Sequence, residues 1–150
     1  MARYNVILAG PADKIKPQVR EAVCPAAVLP GTVLIGNGAN FAQAGANTTA
    51  RAYLAQDNYL ALKDVDTAWP AGDRVIGLHL QDDELYNVRV PTGQNLAHDT
   101  PLTTSAAGKL VVATTGQRIL FYAAEAYNNT SGTDQLVRAR AATVNNLPAA

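Results

Sequence analysis

Arg74-Val-Ile-Gly-Leu-His-Leu80, then Gln81-Asp-Asp-Glu84, then Leu85-Tyr-Asn-Val-Arg-Val90: this stretch decides the fold class. Its first part is apolar and β-favouring. Its acidic middle reads as a solvated tip. Its last part alternates apolar and polar residues, so one face is dry and the other wet. Two strands joined by an acidic turn are the simplest reading, and a hairpin is expected here.

The same style continues on both sides. Downstream, Lys109-Leu-Val-Val-Ala113, Arg118-Ile-Leu-Phe-Tyr-Ala-Ala-Glu125 and Gln135-Leu-Val-Arg-Ala-Arg-Ala-Ala142 read as strands. In the last, Val137, Ala139 and Ala141 share one face while Arg138 and Arg140 share the other, the period of two of a half-buried strand. Pro91-Thr-Gly93 and Ala106-Ala-Gly108 read as turns. Upstream, Ala26–Leu29 leads through Pro30-Gly31 to Thr32-Val-Leu-Ile35, which ends at Gly36-Asn-Gly38. Residues 39–50 are rich in Ala, Asn, Gly and Thr and are expected to be loop. Tyr53–Leu62 is expected to form two short strands about Asp57-Asn58. Turn signals recur throughout, with no capped amphipathic helix, which is the pattern of an all-β barrel or sandwich.

The first residues differ from the rest. Arg3-Tyr-Asn-Val-Ile-Leu8 is short and β-favouring, and Pro11 and Pro17 follow. Each proline removes a ladder donor, so no long central strand crosses them. The segment reads either as an edge strand of the same domain or as an arm that adds to a neighbour's sheet. The expected organisation is an arm over 1–21 and one β domain over 22–150, with a frayed tail from Asn145.

Composition excludes several functions. Lys plus Arg and Asp plus Glu are 12 each, so net charge is zero and no long-range field draws a polyanion. Nucleic acid is therefore not expected as a partner. Charged residues are 16% of the chain, against roughly 25% in an ordinary domain. That low charge lowers the desolvation cost of meeting another protein. No window approaches the apolar length of a membrane helix, and the N-terminus lacks the apolar core of a secretory signal. A single cysteine, Cys24, allows no internal disulfide, and synthesis in the cytoplasm is expected.

Catalytic chemistry is hard to find. Cys24 lies beside Val23 and Pro25 and reads as a buried small hydrophobe. Ser105 and Ser131 sit in Ala/Gly/Thr turns with no nucleophile elbow. His79 with Asp82 and Asp83, or His98 with Asp99, lacks metal-site spacing. Gly36-Asn-Gly38 lacks the lysine and helix of a phosphate loop. No enzyme activity, metal or cofactor is expected. One rival is a trimeric β enzyme such as a nucleotide hydrolase, hinted at only by Asp73-Arg74. Another is a head-fibre or glycan-binding module using Trp69, Tyr86 or Tyr127.

Laid end to end, the segments form a further pattern. Ala27-Val-Leu-Pro-Gly-Thr-Val-Leu34 is followed by a polar loop, then Ala52-Tyr-Leu-Ala55 and Gly72-Asp-Arg-Val-Ile76. Val88-Arg-Val90 leads to Leu96-Ala-His-Asp-Thr-Pro-Leu102 and Ala107-Gly-Lys-Leu110. Ala123-Ala-Glu-Ala126 and Leu136-Val-Arg-Ala139 close it. Over residues 22–144 this resembles the capsid decoration, or cement, proteins of tailed bacteriophages. The resemblance implies a small β-barrel or β-tulip-like domain with an extended N-terminal arm. It implies a homotrimer on the outer surface of the virion, bridging capsomers of the major capsid protein. It also makes Arg3, Tyr4, Val6 and Leu8 the capsid-contact candidates.

Overall fold

A computed structural model describes residues 2–10 and 18–142. The fold is all-β, and every strand pairing is antiparallel. In chain order the strands are β1 (Leu8–Gly10), β2 (Val19–Val23), β3 (Val33–Asn37), β4 (Asn40–Gln43), β5 (Ala52–Ala55), β6 (Arg74–His79) and β7 (Leu85–Val90). They continue with β8 (Asn95–Leu96), β9 (Pro101–Thr104), β10 (Leu110–Val112), β11 (Phe121–Ala123), β12 (Tyr127–Asn128) and β13 (Gln135–Ala141). Three sheets result, ordered β1-β7-β13-β11-β9-β10, β2-β6-β5-β3-β4 and β12-β8. The large sheets curl but keep terminal strands, so the architecture is an open sandwich and not the closed barrel expected.

The deciding stretch forms both of its strands, but they do not pair with each other. β6 lies between β2 and β5 in one sheet, and β7 lies between β1 and β13 in the other. The acidic segment is a crossover. Asp83 takes a left-handed φ of 64° and donates its N–H to Ala141 O. The buried Tyr86 hydroxyl accepts from Gln81 N–H at 3.0 Å and lies 2.9 Å from Glu84 Oε2. These bonds turn the chain out of one sheet and into the next. A hairpin would leave the apolar side chains of β7 without a facing layer. Five consecutive residues of β7, Tyr86 to Val90, are buried.

Two cores lie on opposite faces of the five-stranded sheet. Val33, Ala52, Leu54 and Leu78 point toward the six-stranded sheet and join Val88, Leu102, Phe121, Leu136 and Val137 in the first core. Leu34, Phe41, Tyr53, Ala55 and Val75 point the other way, into a second core with Cys24, Val28 and Trp69. This follows from strand alternation, since neighbours such as Val33 and Leu34 must face opposite ways. The sheet curls around the second core until β2 returns beside β4, where Arg20 Nη2 donates to Gly38 O at 3.1 Å.

Glycine makes the second core possible. A Cβ on Gly77 would lie 2.7 Å from the Phe41 ring, so that ring lies flat on bare backbone. β4 replaces a predicted loop, because Gly38, with φ of 60°, closes a tight turn at which Asn37 pairs with Asn40. The second strand expected within Tyr53–Leu62 is absent. A 3₁₀ turn, Tyr59–Ala61, stands there instead, with Asn58 Oδ1 accepting from Ala61 N–H. Residues 26–29 contribute one bridge, Val28 to Trp69.

The segment read as an arm supplies terminal strands of the chain's own sheets. β1 caps the six-stranded sheet and β2 the five-stranded one. Residues 11–17, including Pro11 and Pro17, and the tail from 143 lie outside the described residues.

Candidate docking surface

One carboxylate gathers several of the bonds that hold the N-terminal segment to the domain. Glu125 accepts the Arg138 backbone N–H at 2.8 Å, the Tyr4 hydroxyl at 2.5 Å, and Arg3 at 3.2 and 3.3 Å. Burial alone would raise the Glu125 pKa. The Arg138 N–H, the Tyr4 hydroxyl and Arg3 outweigh it and hold the carboxyl below its ordinary 4.5. The Tyr4 hydroxyl moves the other way, raised by burial and by Glu125. Arg3 also covers the Tyr127 ring, its guanidinium carbon 3.7 Å from the centroid. The Ala2 N–H reaches Asp66 at 2.8 Å, and Ile7 is fully buried.

The four contact candidates therefore divide. Arg3 and Tyr4 are engaged by Glu125, and Leu8 packs against the first core. Val6 faces outward, 49% exposed, while its carbonyl accepts from the buried Asn87 side chain at 2.7 Å. Backbone and side chain thus do separate work at Val6: one anchors, the other is presented. β1 is terminal in its sheet, the position from which a sheet can accept a further strand.

A second outward feature is one that sequence reasoning missed. Tyr59, Leu60, Ala61 and Leu62 are four consecutive exposed apolar residues, with Leu60 at 73% and Leu62 at 93%. Leu62 has φ of 54°, a left-handed conformation that a branched residue rarely adopts. Asn58 fixes the turn, its carbonyl accepting from Lys63 N–H at 3.1 Å. A run of exposed apolar residues in an ordered turn is a recognised mark of contact with another molecule. The signal was present as Tyr-Leu-Ala-Leu, but it reads equally well as a strand.

The loop that follows this exposed turn at 59–62, the knuckle, is held at Val65 and Asp66 by a buried arginine. Arg89 is almost wholly buried in β7. It donates to Pro30 O at 2.9 Å, to Val65 O, and to Asp66 at 3.2 Å. Burial lowers its pKa and Asp66 opposes that. Leu29, Asp66, Arg89, Thr133, Asp134 and Gln135 line a cavity of about 380 Å³ beside it. Lys109 pairs with Asp134 at its rim. Asp66 thus ties together the N-terminal segment, the knuckle loop and β7.

The remaining sequence candidates are dispersed. Cys24 is buried in the second core. His79 ends β6 with its Nδ1 2.9 Å from Arg51 Nη2, while the exposed His98 pairs with Asp99 at 3.2 Å. Among the described residues no three His, Cys, Asp or Glu side chains gather as a metal site. Ser105 donates to Lys109 O at 3.2 Å and Ser131 to the buried Asn129 at 2.7 Å, both bracing turns. Asp73 O accepts from Cys24 N–H at 3.0 Å, and Arg74 opens β6. Of the proposed sugar-stacking aromatics, Trp69 and Tyr86 are buried and Tyr127 lies under Arg3.

No known protein family and no curated protein matches the chain. Among solved structures, the fold is similar to the N base of head fiber gp8.5 in bacteriophage phi29. The likeness has a TM-score of 0.57 at 16% identity and covers 85% of this chain and 95% of that one.

Proposed function

We propose that the chain is a structural protein of a bacteriophage virion that docks on the outer surface of the assembled head. The observation that carries this reading is the fold likeness to a phage head-fibre base along nearly the whole of that chain. Zero net charge and outward apolar residues at Val6, Leu60 and Leu62 support it. In this reading the protein is made in the host cytoplasm and works by binding alone, without catalysis or cofactor. It binds the major capsid protein as a homotrimer and stabilises the head by bridging capsomers. Binding only the assembled lattice stabilises that lattice by mass action. Three weak contacts per trimer act together through effective concentration, raising avidity by about 10²–10⁴ over one contact.

A second reading is favoured by the same likeness: the chain is the base of a head fibre and anchors a projecting partner. Occupancy distinguishes the two. A decoration protein saturates a large, regular set of lattice sites, whereas a fibre base fills few.

The test is co-sedimentation with expanded, undecorated heads, with light scattering on the free chain. Saturable binding by a trimer is expected, and the double substitution L60D/L62D should weaken it by at least about tenfold, the loss of one buried hot spot. V6D should weaken it less. Absence of binding to heads of any maturation state would overturn the proposal.

A further inference from the structure

The cavity beside Arg89 holds hydrogen-bonding capacity that the chain itself does not use. Arg89 is 3% exposed, and its Nε and Nη2 donate to Pro30 O, Val65 O and Asp66. Its Nη1 has no partner among the described residues. Gln135 Nε2 donates to Thr133 Oγ1 at 3.2 Å, which leaves Gln135 Oε1 buried and unpaired. Asp134 pairs with Lys109 through Oδ2, and its Oδ1 has no partner among the described residues. Arg89, Asp134 and Gln135 all line the same space. Buried polar groups are almost always hydrogen-bonded, so an orphan at a cavity wall points to an occupant of the cavity.

The lining also limits what that occupant can be. Two cations pair with two anions, Arg89 with Asp66 and Lys109 with Asp134, so the walls carry no net charge. Burial and the approach of Arg89 lower the Lys109 pKa, so the two cations already oppose one another. A bound cation would add to that opposition, and a bound anion would meet Asp66 and Asp134. An uncharged ligand avoids both. It must offer an acceptor to Arg89 Nη1 and donors to Gln135 Oε1 and Asp134 Oδ1. A hydroxyl does both with one atom, and neighbouring hydroxyls on one ring do so at several points. The volume, about 380 Å³, lies within the range of small-ligand sites, about 300–1,000 Å³. Leu29 supplies an apolar wall for the C–H face of a ring.

We propose that this cavity is a carbohydrate-binding site that takes one hexose-type ring at the end of a glycan. Arg89 donates to ring hydroxyls, while Gln135 and Asp134 accept from them. The walls are held before binding, Arg89 by Pro30 and Val65 and Gln135 by Thr133, so little ordering accompanies binding. The site uses none of Trp69, Tyr86 and Tyr127, and its lining includes neither Val6 nor Leu60 and Leu62. It is read on the free chain, so its failure and the failure of head docking are distinguishable.

The experiment is an NMR titration at constant pH and ionic strength that follows the Gln135 side-chain amide and the Arg89 Nε–H resonances. The probes are the methyl glycosides of glucose, galactose, mannose and N-acetylglucosamine, with glycerol, acetamide and sodium acetate as comparison arms. Saturable shifts at both residues with at least one glycoside are expected, at lower concentration than with any comparison compound. Q135L removes the orphaned acceptor while keeping an extended side chain, and retained spectral dispersion shows that it is folded. It should bind that glycoside about tenfold more weakly, the loss of one hydrogen bond. Saturation by glycerol at the same concentration assigns the site to small polyols and overturns the proposal. Preferential saturation by acetamide or acetate, no saturation by any glycoside, or equal binding by Q135L also overturns it.

Discussion

The two cores occupy opposite faces of one sheet and fill space by different means. The first is aliphatic and double-sided: Leu54, Leu78 and Val33 meet Leu102, Leu136 and Val88 from the facing sheet. The second has no facing sheet. The five strands curl over their own side chains, and Phe41, Tyr53 and Trp69 supply the bulk that a second layer would otherwise give. Curling brings strands too close for side chains at every position, so Gly77 is bare and Phe41 lies on it. Its open end is then covered by Arg20 rather than by an apolar residue. A sheet facing a partner adds side chains to fill its core, whereas a sheet facing itself must omit some.

This contrast can be broken at three levels. The largest effect belongs to the first core. Phe121, fully buried there, should cost about 3–5 kcal/mol when replaced by alanine, the usual range for a core aromatic. Guanidinium denaturation measures it, and a cost below that of an ordinary surface change would mean that the two sheets are not tightly packed. Next comes Gly77→Ala in the second core, which should cost about 1–3 kcal/mol by overpacking against Phe41. F41L should recover part of that loss in G77A, and the pair gives a double-mutant cycle. If the cores are independent, F121A and G77A add to within about 0.5 kcal/mol; strong coupling would make them one core.

The smallest effect lies at the mouth of the second core. His79 has its pKa lowered by burial, Arg51 and Arg20, so the unfolded chain takes up a proton first as pH falls. Its contribution to stability is complete above its ordinary value of 6.5 and declines as pH drops below that toward the folded value. H79Q should flatten that part of the stability profile. An unchanged profile would mean that the arginines do not act on the imidazole.

Much of the architecture was legible in the residues, but its connectivity was not. Strands at 33–37, 74–79, 85–90, 110–112 and 135–141 follow from apolar runs and alternation. β13 shows this directly, with Val137, Ala139 and Ala141 buried and Arg138 and Arg140 half-exposed. β4 was missed because Phe41 is alone among small polar residues, although Asn37-Gly38 is a strong hairpin signal. The hairpin read at 74–90 failed because alternation reports which face is dry, not which strand lies alongside. Arg3 and Tyr4 were read as capsid contacts; that they meet Glu125 within the chain was not legible, because Glu125 is over a hundred residues away and single-sequence periodicity carries no such pairing. The knuckle at 59–62 was read as strand, since exposure of an apolar run cannot be seen without the fold.

The crossover at Gln81–Glu84 also governs how the chain reaches its fold. Adjacent segments β6 and β7 end in separate sheets, so they cannot settle by zipping to each other. β6 must find β2 and β5, and β7 must find β1 and β13, which come from opposite ends of the chain. Among the described residues, only the β3–β4 and β9–β10 pairs join strands separated by short turns. Non-local pairing of this kind places folding in the range of about milliseconds to seconds. Until its two partner strands arrive the apolar strand Tyr86–Val90 is uncovered, so faster pairing of β7 with β13 would shorten its exposure.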